Sequence, residues 1–229
     1  MADRLTIDVR ESDRTSALVY RAQGDARVNA TLVLAHGAGA GQESRFMVGF
    51  ASGLASRGLD VLTFNFLYTE QGRRLPDRTE TLEACYRAAI AAARSYRPFG
   101  GGAVFIGGKS MGGRIATHLA AAAGEEAAAG GINGLVLLGY PLHPPGKPDN
   151  LRAAHLAKIR VPMLVVQGSR DPFGTPAELK RVLDRLTAPV TLHVVENGDH
   201  SLAPAKGSPI SVDQVYSDLQ NMIVEWVRT

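Results

Sequence analysis

Ile106-Gly-Gly-Lys-Ser-Met-Gly-Gly113 (IGGKSMGG) is the stretch whose reading decides the fold. Gly108-Lys109-Ser110 matches the end of a phosphate-binding loop, G-x-x-x-x-G-K-[ST]. Gly108 to Gly112 also matches G-x-S-x-G, a strand-to-helix turn that exposes a nucleophilic serine. A phosphate loop needs a glycine just after a strand, and Ala103 stands at that position. It would also place Val104-Phe105-Ile106 inside the loop, where their β-branched and aromatic side chains ask for a strand. The serine turn fits throughout. Ala103 to Ile106 supplies the strand and Arg114 to Ala123 the helix. The residues two before and two after the serine must lack a Cβ, and both are glycine.

The flanking sequence extends this pattern in both directions. Leu5 to Arg10 and Ala17 to Ala22 alternate apolar and polar residues, as half-exposed antiparallel strands do. Continuous apolar runs follow at Ala30 to Ala35, Val61 to Phe66, Ala103 to Ile106, Leu135 to Leu138, Val161 to Val166 and Val190 to Val195. Strands of that kind are covered on both faces, as in parallel sheets flanked by helices. Helical segments lie between them: Glu43 to Arg57, a helix to about Tyr96 opened by an Asp77-Arg-Thr-Glu80 capping box, Ser110 to Ala123, Thr175 to about Leu186, and Ile210 to Val227. The expected fold is α/β, a single domain over residues 1–229 with an eight-stranded, mostly parallel sheet and helices on both faces. Ala120 to Gly131 reads as a fraying helix end and loop, and Leu142 to Asn150 as a proline-rich loop near the mouth of the site.

Composition narrows the function. The formal charge is only +3, and no Lys/Arg block or basic-aromatic interleaving occurs, which argues against a nucleic-acid partner. Cys85 is the lone cysteine, so neither an internal disulfide nor a cysteine metal site forms, and a reducing cytoplasmic compartment is expected. The start, MADRLTIDVR, lacks a signal peptide's apolar stretch, and no apolar run reaches the ~18 residues of a membrane span. No histidine pair has H-x-x-x-H spacing, so no metal and no cofactor are assigned.

With GGKSMGGR at its centre, the chain resembles the α/β-hydrolases, in the small, lid-poor group similar to dienelactone hydrolases and compact esterases. The same stretch resembles a branch that includes testis-expressed and acetyltransferase-complex regulatory proteins. The resemblance runs from about Thr31 to Trp226 and implies a serine–acid–histidine triad in that chain order, with a minimal lid. Ser110 is the candidate nucleophile. Asp171, after the seventh strand, is the candidate acid, ahead of Asp149 and Glu196; His200, after the eighth, is the candidate base. The oxyanion hole would use the backbone N–H of Met111 and, by the resemblance, that of Ala38.

His36 is expected to shape the oxyanion turn through a ring hydrogen bond. Lys109, Tyr68 and His143 are candidate substrate contacts, with Arg45, Asn65, Arg73 and Arg74 as further rim residues. Cys85 and His118 read as packing residues, and Asp199 as a turn residue. The implied activity is hydrolysis of a small-molecule acyl substrate: an ester, thioester or lactone. A non-catalytic binding or scaffold protein on the same fold, and a serine peptidase or amidase, are the alternatives.

Overall fold

The computed structural model describes residues 2–10, 12–24, 27–124 and 131–229. Eight strands form one sheet in the order β1-β2-β4-β3-β5-β6-β7-β8. They are β1 (Asp3–Asp8), β2 (Arg14–Tyr20), β3 (Ala30–Ala35), β4 (Asp60–Phe64), β5 (Ala103–Lys109), β6 (Gly134–Leu138), β7 (Met163–Gly168) and β8 (Val190–Val195). β2 runs against both β1 and β4, and every other neighbouring pair is parallel. Among the described residues the α-helices are α1 (Arg45–Ser56), a single turn α2 (Leu67–Glu70), α3 (Thr79–Ser95), α4 (Met111–Ala123), α5 (Pro176–Leu183) and α6 (Val212–Arg228).

Each continuous apolar strand feeds two cores except β8, which lies at the sheet edge and leaves Thr191 and His193 exposed, contrary to the expectation of cover on both faces. In β3, Val33 and Ala35 face the layer holding Tyr86 and Ile115, from α3 and α4. Leu32 and Leu34 face the layer holding Phe50 and Leu54 of α1 and Leu219 and Ile223 of α6. Alternate side chains therefore enter opposite layers, which is why these strands read as unbroken apolar runs rather than alternating ones.

Four further sequence expectations are corrected. β2 was expected to be half-exposed, yet from Thr15 to Tyr20 it is buried, because Ala17 and Val19 enter one core layer and Leu18 and Tyr20 the other. β4 ends at Phe64 because Phe66 already caps the turn α2. β7 starts at Met163, after Pro162, whose nitrogen has no hydrogen to give a ladder.

The Asp77 capping box does not form either: Arg78 is the N-cap of α3 and has no side-chain cap bond. Asp77 Oδ2 instead accepts from the backbone N–H of Tyr68 at 3.0 Å and so caps α2 across space. A capping box does form at α5, where Thr175 and Glu178 bond each other's backbone N–H groups. α4 ends at Ala123 with Gly124 beyond it, while residues 125–130 of the expected alanine-rich loop lie outside the described residues.

Parallel strands bring their carboxyl ends to one edge of the sheet. β3 sits between β4 and β5: the chain passes from β3 to β4 on one side and then crosses back over β3 to β5 on the other, so the winding reverses there. A crevice opens at such a switch point. The loops after β3 and β5 meet there, and those after β7 and β8 approach from one side.

Candidate active site

Ser110 lies between β5 and α4 with φ 51° and ψ −115°, a conformation L-residues rarely adopt. Surrounding backbone holds it there. The Ser110 N–H donates to the carbonyl of Leu138 at 2.9 Å, and its carbonyl accepts from Arg114 N–H at 3.0 Å. The turn is tight enough that a Cβ on Gly108, and one on Gly112, would each lie 2.5 Å from the Ala35 carbonyl oxygen. The G-x-S-x-G glycines are therefore fixed by contact between β5, α4 and the end of β3.

The structure brings together the three residues expected from the sequence. Ser110 Oγ lies 2.8 Å from His200 Nε2, and His200 Nδ1 lies 2.8 Å from Asp171 Oδ2. A hydroxyl donating to Nε2 requires that nitrogen to be bare, so Nδ1–H donates to the carboxylate. The Asp171 side chain is fully buried, while that of His200 is 23% exposed. Phe173 lies against the imidazole, with ring centroids 4.2 Å apart and planes inclined at 32°. Asp149 and Glu196 are exposed. Asp199 accepts from the N–H groups of Ser201 and Ala203 and closes the turn that carries His200.

Asp171 is held on both oxygens. Oδ1 accepts from Phe173 N–H at 2.8 Å, and Oδ2 also accepts from Gln167 Nε2 at 2.9 Å. Gln167, wholly buried, additionally donates to the Gly174 carbonyl at 2.8 Å and accepts from Tyr140 N–H at 2.8 Å. Sequence reasoning missed this residue. The available signal was a polar side chain ending the apolar run Met163 to Val166, four positions before Asp171.

The loop after β3 packs against the serine: a Cβ on Gly37 would lie 3.5 Å from Ser110 Cβ. His36 shapes that loop. Its Nε2 accepts from Phe66 N–H at 3.1 Å, which leaves the proton on Nδ1 to donate to the Gly37 carbonyl at 2.8 Å. Burial lowers the pKa of His36, keeping the ring neutral as this pairing requires. Carbonyl and N–H point in opposite directions across a trans peptide, so the Ala38 N–H faces away from the buried ring. Met111 N–H belongs to the first turn of α4, where no intrahelical acceptor exists. The helix dipole adds positive potential at that point.

The remaining candidates are more scattered. Tyr68, Asn65, Arg73 and Arg74 line a cavity of about 720 Å³ beside Gly39 to Gly41. Tyr68 is buried and its hydroxyl has no partner. Arg73 pairs with Asp77 at 2.6 Å. Arg45 lines a different cavity, with Phe46 and Tyr216.

His143 is buried, with Nδ1 2.9 Å from the Pro144 carbonyl oxygen and Nε2 3.6 Å from Glu178. It shares no hydrogen bond with Ser110, Asp171 or His200. The Lys109 ammonium donates to the backbone carbonyl of His200 instead of pointing freely to solvent. Cys85 is buried, and desolvation pushes its thiol up to about 12, so it is inert. Among the described residues, no cluster of three or more His, Cys, Asp or Glu side chains is arranged to hold a metal ion, and no helix is long and apolar enough to cross a membrane.

Comparison with known proteins agrees with this architecture. Residues 28–228 match the family described as alpha/beta hydrolase domain, and the chain belongs to that family. A dienelactone hydrolase from Anabaena variabilis superposes with a TM-score of 0.74 at 19% identity, covering 99% of this chain and 96% of that one. A serine hydrolase without lid from Xanthomonas campestris gives 0.72 at 21% identity, over 99% and 94%. An alpha-beta serine hydrolase homologue from Coxiella burnetii gives 0.73 at 15% identity, over 97% and 96%. The chain shares their fold and is of the lid-poor type.

Proposed function

We propose that the protein is a serine hydrolase that cleaves a small ester, thioester or lactone through an acyl-enzyme. One observation carries the reading: the unbroken chain Ser110 Oγ–His200 Nε2 and His200 Nδ1–Asp171 Oδ2, both links 2.8 Å, on a strained turn at the start of α4. A serine hydroxyl attacks poorly until a base removes its proton. His200 takes that proton as Oγ adds to the substrate carbonyl carbon. The Ala38 and Met111 N–H groups receive the oxyanion, a contribution of roughly 2.7–4 kcal/mol for each such donor.

The imidazolium is then stabilised by Asp171 and by the face of Phe173. Collapse of the adduct breaks the carbonyl–heteroatom bond, and His200 protonates the departing alkoxide or thiolate. Water, deprotonated by His200, releases the acid and restores Ser110. Phe173 N–H and Gln167 hold the Asp171 carboxylate in place throughout.

The test is Ser110→Ala assayed against acyl esters of graded chain length, acyl-CoA thioesters, lactones and anilides. Turnover of whichever class the wild type cleaves should fall by on the order of 10⁴–10⁶ while thermal unfolding stays within about 2 °C. Hydrolysis that survives the substitution would remove Ser110 as the nucleophile. A preference for anilides over esters would move the protein to the amidase class.

A further inference from the structure

We propose that Lys109 is a positioning residue whose ammonium, by bonding the backbone carbonyl of His200, holds the base in line with Ser110. The inference rests on the serine-hydrolase reading above.

Lys109 precedes the nucleophile on the same turn, yet its side chain reaches the loop after β8 and donates to the His200 oxygen. The path to that oxygen is kept open by glycine. Gly139, after β6, has φ 66°, and a Cβ there would lie 2.9 Å from both the Lys109 Nζ and the His200 oxygen. A Cβ at Gly37, after β3, would lie 3.8 Å from Lys109 Cγ. The ammonium thus sits where the loops after β6 and β8 close on the nucleophile turn. His200 itself is carried by the turn Asp199 closes, and the next residue is tied to α6, where Tyr216 Oη donates to the Ser201 carbonyl at 2.9 Å. One charged hydrogen bond from the serine's own neighbour ties the base to the nucleophile independently of the Asp171 contact. A charge-assisted bond of this kind is stronger than a neutral one.

The surroundings make this bond sensitive to pH. Burial lowers the Lys109 pKa from its ordinary value to about 8, opposed by the carboxylates of Asp171 and Asp199. The titratable and charged groups facing it are those two carboxylates and the His200 ring. Above about pH 8 the ammonium becomes a neutral amine and the strut weakens.

The experiment compares wild type, Lys109→Met and Lys109→Cys, the last before and after alkylation with bromoethylamine, which rebuilds an ammonium at the end of the side chain. Cys85, buried with its thiol pushed up to about 12, stays unmodified. Three readouts are taken from about pH 6 to about pH 10: the rate of Ser110 phosphonylation by a fluorophosphonate, hydrolysis of uncharged p-nitrophenyl acetate, and the low-field proton resonance of the His200 Nδ1–H bonded to Asp171. Far-ultraviolet circular dichroism checks folding.

Lys109→Met should stay folded, lose about 10²-fold in kcat and in phosphonylation at nearly unchanged KM, and lose the low-field resonance. The wild-type rate should fall as pH rises through about 8, and aminoethylated Lys109→Cys should recover most of the loss. Wild-type rates and resonance in folded Lys109→Met would overturn the proposal. So would a loss confined to KM with anionic esters, which would make Lys109 a substrate contact. If wild-type Ser110 resists the probe while the resonance still disappears in Lys109→Met, the strut stands and the hydrolase reading falls.

Discussion

Gln167 shows how much of the site depends on a residue that never meets substrate. Its amide spans Asp171, the Gly174 carbonyl and the Tyr140 N–H, all in the buried layer under the candidate base. Gln167→Met would leave the Gly174 carbonyl and the Tyr140 N–H buried without partners, at about 1–3 kcal/mol for each. Unfolding stability should therefore drop by several kcal/mol, and kcat should fall with KM little changed, as Asp171 loses one of its restraints. Gln167→Glu should be worse at neutral pH, because a second carboxylate about 3 Å from Asp171 forces one of the pair to hold a proton. Thermal melts and steady-state kinetics of the two variants check both points.

At this scale the sequence was legible wherever a short motif fixed the geometry. Ser110, Asp171 and His200 were singled out by a G-x-S-x-G turn, the chain order the resemblance implies and the ends of two apolar runs, and the three side chains lie within hydrogen-bonding distance of one another. Gln167 was missed although it is a polar side chain ending an apolar run four positions before Asp171, and the Lys109–His200 bond was not found because it joins residues of different loops and leaves no spacing pattern.

At the scale of elements, the contact that positions the nucleophile is backbone on backbone. β5 and α4 approach the end of β3 so closely that Gly112→Ala would place a Cβ 2.5 Å from the Ala35 oxygen and 2.7 Å from the His36 oxygen. Neither neighbour is a flexible side chain, so α4 or the loop after β3 must shift. The expected cost is about 1–3 kcal/mol or more, read from denaturant unfolding. Activity should be lost beyond what that destabilisation explains, because the Met111 and Ala38 N–H groups move apart.

The misplaced Asp77 cap belongs to the same scale. Asp77-Arg-Thr-Glu80 satisfies the capping pattern in one dimension, but Asp77 faces the N-terminus of α2 and pairs with Arg73. Thr175 with Glu178 satisfies the same pattern and does cap its own helix, α5. Local propensity marks where a helix begins. Which end a carboxylate serves is decided by what packs beside it.

For the whole molecule, the strand order places the site. The chain leaves β3 for β4 on one side and then crosses back from β4 to β5 on the other, which opens a crevice at the carboxyl edge, and the four loops that carry His36 to Ala38, Ser110, Asp171 and His200 are all loops of that edge. This much followed from the alternation of apolar runs with helical segments, because parallel strands covered on both faces have few ways to connect. What did not follow was the shape of the mouth. Tyr68 and His143 are buried, and the 720 Å³ cavity lies along the Gly39 to Gly41 loop, not under a lid. Pocket shape is the sum of long-range contacts that no local pattern encodes.

The central claim is that Ser110 becomes a nucleophile because His200 is bonded to it. Mass-spectrometric mapping of a fluorophosphonate adduct on the folded wild type and on His200→Gln tests this directly. The account predicts one adduct in the wild type, on Ser110, and almost none in the variant. Equal labelling of Ser110 in both proteins, or an adduct on a different serine, would contradict it.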